Sequence, residues 1–363
     1  MDGEEVMFKK IIFVTVIIFC LGIIGCTESN GPYGIDFFWE PINGPSGYMA
    51  TITVARNGNV WAGTFYNWDY RDGREYLGTI YVSTDNGNTW VEKNNGLAGG
   101  SVRSIAINPI NNYIFAVVEK LQGVGFFTNY ECFRSTDYGE SWTKILDAGN
   151  TMLITPSGEI YMTPWLNQWL DLTILEGEGI YYSSDNGDTW IKKSNGLPGI
   201  TSFALGPDGT LYAGIYNSYE KGIYHSTNGG NEWLALTKDI DYPTDITIAP
   251  NGSIFVAAAY SGVFKSTDKG ITWNQINGGL NVSSNGDYSQ VLCIVYNPII
   301  NHILCTSFIS GGVYRSADLG DSWQRITNGL PSSEYGKADL AINPITGRMF
   351  LRSDYNGIHR STQ

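Results

Sequence analysis

Short apolar runs alternate with turn residues along most of this chain, in an order that repeats. Ile105-Ala106-Ile107 ends in a turn at Asn108-Pro109, and a second run follows at Tyr113 to Val118. Turns of the same kind stand at Asn57-Gly58-Asn59, Pro207-Asp208-Gly209 and Pro250-Asn251-Gly252. These residue types are the ones that tight hairpins demand. A variable stretch leads to a third run of the Gly-Ile-Tyr-x-Ser type, as at Gly222 to Ser226 and Gly312 to Ser316. A fourth run then opens at a tryptophan. The order predicts four antiparallel strands per unit.

The turn between the third and fourth runs is Ser-x-Asp-x-Gly-x-Thr/Ser-Trp, present in six copies. Its Asp and Trp positions are Asp85 and Trp90, Asp137 and Trp142, Asp185 and Trp190, Asn228 and Trp233, Asp268 and Trp273, and Asp318 and Trp323. The fourth copy is degenerate, with Asn228 for the aspartate and Glu232 for the hydroxyl residue. Aspartate folds back onto nearby backbone N–H groups, and glycine supplies the positive φ of the turn. A tryptophan on a blade surface buries about 150–250 Å², roughly 4–6 kcal/mol at most. A turn hydrogen bond is worth about 1 kcal/mol. Tryptophan burial therefore outweighs the turn, and the repeated aspartates read as structural.

Gaps of 52, 48, 43, 40 and 50 residues between successive copies are too uneven for a solenoid and suit propeller blades. Seven first strands are predicted, near 50–55, 104–107, 152–155, 202–205, 245–249, 291–296 and 340–342. The last unit stops at Gly357 to Thr362, where its Asp turn would begin. Phe38-Trp39-Glu40-Pro41-Ile42-Asn43-Gly44 resembles the fourth-strand segment Trp90 to Gly96. The expectation is an all-β, seven-bladed propeller over 36–363, its ring closed by the N-terminal strand so that no edge is left open.

Lys9-Lys10 precedes an apolar run from Ile11 to Gly25, too short to span a bilayer comfortably. It reads as a signal peptide over 1–25. The run ends Ile23-Ile24-Gly25-Cys26, which resembles a bacterial lipobox and implies lipidation at Cys26, with 26–35 as lipidated residue and short linker. Asp2, Glu4 and Glu5 are the wrong charge for such a signal, so Met7 rather than Met1 is a candidate start. The expected location is the bacterial cell envelope, outer membrane or cell surface.

Composition narrows the partners. The net charge of −13, or −12 without the signal segment, repels phosphates and argues against nucleic acid. Cys293 and Cys305 flank the Asn297–Asn301 turn and are expected as thiols rather than a disulfide. The three histidines show no metal-ligand spacing, and no cofactor or metal is expected.

Aromatic residues are 13% of the chain, and several fall in three long segments on one end of the blades. These are Tyr66 to Tyr76 in unit one, Glu119 to Tyr130 in unit two, and Pro164 to Asp171 in unit three. Candidate ligand contacts are Tyr66, Trp68, Tyr70, Arg71, Arg74, Phe127, Trp165 and Trp169. Flat rings with polar neighbours suit sugars, though such residues also order loops or meet proteins. Carboxylates share this end at Asp69, Asp72, Asp171, Asp241, Asp287 and Glu334, with Asp239, Asp245 and Asp339 read on the inter-unit connections. A glycosidase needs two carboxyls about 5–10 Å apart, a condition that so many acids meet by chance.

The repeated turn resembles the Asp-box, or bacterial neuraminidase repeat, proteins across residues 36–363. That group includes sialidases, xyloglucan hydrolases, sortilin-type receptors and the photosystem II assembly factor. Gly-Ile-Tyr-x-Ser-x-Asp-x-Gly-x-Thr-Trp followed by Asn-Gly-Leu-Pro at 195–198 and 328–331 is similar to the xyloglucanase and assembly-factor branches. An Arg-Ile-Pro motif of the sialidase kind is absent. Xyloglucan hydrolases place a cleft between two propellers, whereas this chain has one. The resulting expectation is a monomeric, lipid-anchored propeller that binds a glycan or envelope protein, with a glycoside hydrolase as the alternative.

Overall fold

The computed structural model describes residues 37–45, 48–69, 74–97, 99–122, 127–163, 180–193, 197, 200–217, 220–281, 290–307, 312–331, 338–353 and 357–362. Their strands form seven four-stranded antiparallel sheets and one two-stranded hairpin, with no helix among the described residues. First strands are Met49–Val54, Ser101–Ile107, Met152–Ile154, Ile200–Leu205, Pro243–Ile248, Val291–Asn297 and Ala338–Ile342. Each sheet runs outward in chain order, except that the seventh takes its outermost strand, Trp39–Pro41, from the beginning of the chain. Trp39 lies opposite Ser361 and Pro41 opposite His359. The sheets are blades of a propeller, and this pairing closes its ring.

The core is divided among the joints between blades. Seven apolar clusters each join one blade to the next, such as Ile80, Val102, Phe133 and Trp142 between blades 1 and 2. Inner strands add polar links around the ring. Thr201 donates to the carbonyl of Pro243 (2.5 Å), Thr244 to Val291 (2.8 Å) and Thr306 to Ala338 (2.7 Å). Arg352 completes the series by donating to the carbonyl of Met49 (3.1 Å).

The Asp turns have one geometry throughout. In the first, Ser83 Oγ donates to Asp85 Oδ1 (2.8 Å) and accepts the Gly87 N–H (2.7 Å). Asp85 in turn accepts the Thr89 N–H (2.8 Å) and the Thr89 hydroxyl (2.7 Å). In the degenerate copy the backbone bond is kept and only the side-chain pair reverses its roles. Asn228 Oδ1 accepts the Glu232 N–H (3.0 Å), and Asn228 Nδ2 donates to Glu232 Oε2 (3.3 Å). Asn228→Asp alone sets two carboxylates against each other, and a loss of about 1 kcal/mol is expected. Adding Glu232→Thr restores the hydroxyl donor, so a double-mutant cycle by urea melts is expected to show recovery.

The fourth-strand tryptophans split into two groups. Trp90, Trp190, Trp233 and Trp273 each donate their indole N–H to the glycine carbonyl of their own turn, at 3.0–3.1 Å. Trp39, Trp142 and Trp323 instead donate to the preceding blade, at Ile326, Lys93 and Ile276. Their backbone N–H groups also reach back, to the carbonyls of Asn328, Asn95 and Gly278. The glycine that follows each of these carbonyls has positive φ, and at Gly279 a Cβ would stand 2.2 Å from the Trp323 carbonyl. The Gly-Leu pair after a fourth strand is thus a blade-to-blade fastening.

Candidate functional site on the loop face

Antiparallel order places the first-to-second hairpins and the Asp turns on one face. The second-to-third connections and the links between blades lie on the other, here termed the loop face. Tyr66 is half-buried at this face, and its N–H donates to Ser101 Oγ (3.0 Å). Next to it, the Phe65 ring carries the Arg103 guanidinium at 4.9 Å. Arg103 Nε donates to Glu119 (2.5 Å), and the Tyr130 hydroxyl donates to the other Glu119 oxygen (2.8 Å). Glu119 is buried with both oxygens engaged inside blade 2, and the Arg103 it holds is the group that reaches Phe65 of blade 1.

Two of the three long segments differ from a loop reading. The backbones of Trp68, Asp69 and Arg74 belong to a small hairpin, Asn67–Asp69 against Arg74–Tyr76, with Asp69 opposite Arg74. Residues 119–130 mostly continue the blade 2 strands Ile114–Gln122 and Phe127–Ser135, which pair as far as Phe127 opposite Gln122. Backbone pairing and the Tyr130–Glu119 bond satisfy the polar groups that would otherwise require a solvated loop. The side chains of Trp68, Asp69, Arg74 and Phe127 lie outside the described residues. So do Tyr70, Arg71, Asp72, Trp165, Trp169, Asp171, Asp287, Glu334 and Cys26 in full.

On the other side of the same face stands a tyrosine cluster that the short connections of blades 4 and 5 conceal in the sequence. Tyr216 ends the second strand of blade 4, Tyr242 lies in the link to blade 5, and Tyr260 follows the second strand of blade 5. The Tyr216 and Tyr242 ring centroids are 3.6 Å apart, and Tyr260 meets Tyr242 edge-on at 5.8 Å. Tyr242 has φ of 51°. The other non-glycine residues of positive φ sit in Asp turns or at hairpin asparagines, so Tyr242 is the one placed there outside those turns among the described residues. Its carbonyl accepts the Ala259 N–H (3.0 Å), which holds the strained link. Burial, then the two neighbouring hydroxyls, push the Tyr242 phenol upward, so it stays a neutral donor. The legible signal was three tyrosines at strand ends in consecutive units.

Asp241 is exposed beside the cluster and pairs with Lys221 (3.3 Å), a surface contact of small energy. Glu220 accepts hydrogen bonds from the Lys238 ammonium (2.7 Å) and the Tyr224 hydroxyl (2.8 Å). Those bonds hold its carboxyl below the usual range, so it is an anion rather than an acid.

Asp245 and Asp339 are not on connections. Both lie in first strands, of blades 5 and 7. Asp245 accepts the N–H of Ile246 (2.8 Å) and, across the joint, of Ile294 in blade 6 (2.8 Å). The residue as a whole is half-buried, but its carboxyl is enclosed. Desolvation pushes it up to about 7 against the downward pull of both amides. Asp339 is clamped by Arg352 (2.5 and 2.9 Å). Cys132, Cys293 and Cys305 are free and buried. Cys293 lies opposite Thr306, and Cys305 opposite Ile294. The two thiols therefore join different core clusters. Burial lowers the His225, His302 and His359 imidazoles, and among the described residues no three metal-binding side chains gather.

This architecture defines a class, the seven-bladed β-propeller with an elaborated loop face. No protein-family model matches the chain, and no curated protein matches it. Among solved structures it is similar to a GH74 enzyme of Niastella koreensis, at 18% identity and TM-score 0.63, with 89% of this chain and 53% of that one covered. It is similar to YCF48 bound to D1 peptide, at 16% identity and TM-score 0.63, covering 91% and 95%. It is also similar to PorZ, a surface component of the type-IX secretion system of Porphyromonas gingivalis, at 14% identity and TM-score 0.61, covering 91% and 48%. The chain spans about half the length of the first and third and nearly all of the second. At such identities the likeness is one of fold.

Proposed function

We propose that this chain is a binding module of the bacterial cell envelope, held at a membrane through Cys26, whose loop face takes a glycan or an envelope protein without transforming it. The observation that carries this reading is the Tyr216–Tyr242–Tyr260 cluster, with Tyr260 49% exposed. Rigid rings offer flat apolar faces, and their hydroxyls donate and accept hydrogen bonds. Both features suit sugar rings and peptide side chains, and neither performs chemistry.

The carboxylates support binding over hydrolysis. Glycoside cleavage needs one carboxyl kept protonated and free to reach the glycosidic oxygen. Asp245 is the described carboxyl pushed up toward neutrality, yet both its oxygens are spent on backbone amides. YCF48 bound to D1 peptide is a propeller of matching length that holds a peptide, while the GH74 enzyme is the neighbour that favours the hydrolase alternative.

The test is a panel of polysaccharides and envelope extracts incubated with soluble residues 27–363, scored for retention and for reducing ends. Retention without release is expected. Tyr216→Ala and Tyr260→Ala should each weaken it roughly 10-fold, about 1.4 kcal/mol per ring. Release of reducing ends would replace this reading with hydrolysis, and retention indifferent to both tyrosines would move the site elsewhere on the face.

A further inference from the structure

The chain joins the propeller on the face opposite the tyrosines. Trp39 pairs with Ser361, the residue from which a seventh Asp turn would spring, so the strand begins at the Asp-turn end. Eleven residues, Cys26 to Asp36, precede Phe37, and fully extended they span at most about 40 Å. A tether of that length keeps this face near an anchoring bilayer but does not stop the propeller from tumbling.

The same face carries apolar tips. Ile110, Ile299 and Ile345 each follow an Asn-Pro pair at a first-to-second hairpin and are 64%, 51% and 59% exposed. The tips are rigid. Asn108, Asn297 and Asn343 are buried, and each side-chain oxygen accepts the N–H of its isoleucine at 2.9–3.1 Å. Asn108 and Asn297 also donate to glycine carbonyls of the next blade's hairpin, Gly158 and Gly347. These tips belong to blades 2, 6 and 7, with exposed Arg56 at the blade 1 hairpin between them. The equivalent places in blades 3, 4 and 5 hold Ser157, Asp208 and Asn251. The exposed isoleucines therefore fall on one half of the inner ring, interrupted at blade 1 by Arg56, and the other half is polar.

We propose that the Ile110, Ile299 and Ile345 tips rest on the lipid surface that the anchor reaches, which turns the loop face and its tyrosines away from the membrane. This rests on the lipid-anchor reading of Cys26. Three stiff isoleucines on the tethered face remove the tumbling freedom that the linker leaves, because exposed apolar groups gain by entering the headgroup and acyl boundary. The surface they suit is largely zwitterionic. Asp85, Asp137, Asp185, Asp268 and Asp318 stand on the same face, and dense anionic headgroups would repel them.

The experiment uses the full lipidated chain on vesicles of phosphatidylethanolamine with a minor fraction of phosphatidylglycerol. Nitroxide labels are placed singly at Ile110→Cys, Ile299→Cys, Ile345→Cys and Tyr260→Cys, the native Cys132, Cys293 and Cys305 being buried. Collision with oxygen dissolved in the lipid is compared with collision with an aqueous nickel complex. Excess lipid contact at the three tips and aqueous contact at Tyr260 is the expected result. Tips as open to nickel as Tyr260, on protein that stays with the vesicles, would overturn the proposal while leaving the anchor intact. Tips shielded from nickel without lipid contact would also overturn it and indicate a protein partner. If the chain does not float with vesicles, and Cys26→Ala changes nothing, the anchor reading fails and the proposal with it.

Discussion

Trp39→Ala is expected to destabilise the propeller by about 3–5 kcal/mol, the largest single loss among the fourth-strand tryptophans. The ring of Trp39 is fully buried, among Phe37, Leu304, Val313 and Leu340 at the joint of blades 6 and 7. Its indole N–H donates to the Ile326 carbonyl (2.8 Å) and its backbone N–H to Asn328 (2.8 Å). The substitution therefore removes apolar burial, opens a cavity and orphans a buried acceptor. Because Trp39–Pro41 is the strand that closes the ring, the damage falls where first and last segments meet. Trp273→Ala is the control: that indole is half-buried and bonds within its own turn (3.0 Å). Urea melts followed by fluorescence should rank Trp39→Ala well below Trp273→Ala. Equal losses would mean that closure does not depend on this joint.

Stability is expected to fall as pH rises from about 4 to about 7, because of Asp245. Its carboxyl is raised from 3.8 to about 7 in the folded chain. Across that window the unfolded chain has lost the proton and the folded chain keeps it, so raising pH favours unfolding. The full effect is on the order of 4 kcal/mol at neutral pH, as an upper bound. The Asp turns act in the opposite sense. Hydroxyl and backbone donors from Thr89, Ser141, Thr189 and Thr272 hold Asp85, Asp137, Asp185 and Asp268 down to about 2. Asp318, where burial works against its serine donors, is also held to about 2. Their contribution is present above about pH 4 and is lost as pH falls toward 2. A stability maximum near pH 4 follows, between the two windows. Asp245→Asn removes this titration while keeping one acceptor, so the fall in denaturation midpoint between pH 4 and 7 should disappear. What remains is the rise toward neutral pH that the buried His225, His302 and His359 imidazoles contribute. A variant curve parallel to that of the parent chain would sink the assignment to Asp245.

The turn Ser83-x-Asp85-x-Gly87-x-Thr89-Trp90 was legible in the sequence because its donors and acceptors lie within four residues of one another. The strand order was legible for the same reason: hairpin residues and apolar runs are local signals. Ring closure could be read from the likeness of residues 38–44 to a fourth strand. Site residues were less accessible. The cluster of Tyr216, Tyr242 and Tyr260 joins three separate connections, none of them long enough to draw notice. Asp245 read as a loop charge, because nothing near it in the chain marks it as enclosed.

By itself the sequence determined the blade and the number of blades, which follow from backbone bonding between neighbours in the chain. It also marked the strand that completes the last blade through its likeness to a fourth strand, although Trp39–Pro41 pairs with His359–Ser361 at the other end of the chain. The tertiary structure decided everything that depends on how blades lie against each other. It divided the tryptophans between their own turns and the preceding blade, and it set the Asp245 carboxyl against the Ile294 amide, 49 residues away. It also gathered three tyrosines onto one face and three isoleucines onto the other. Those outcomes depend on side-chain packing across the joints, where the partner of each group is chosen by the curvature of the closed ring and not by spacing along the chain.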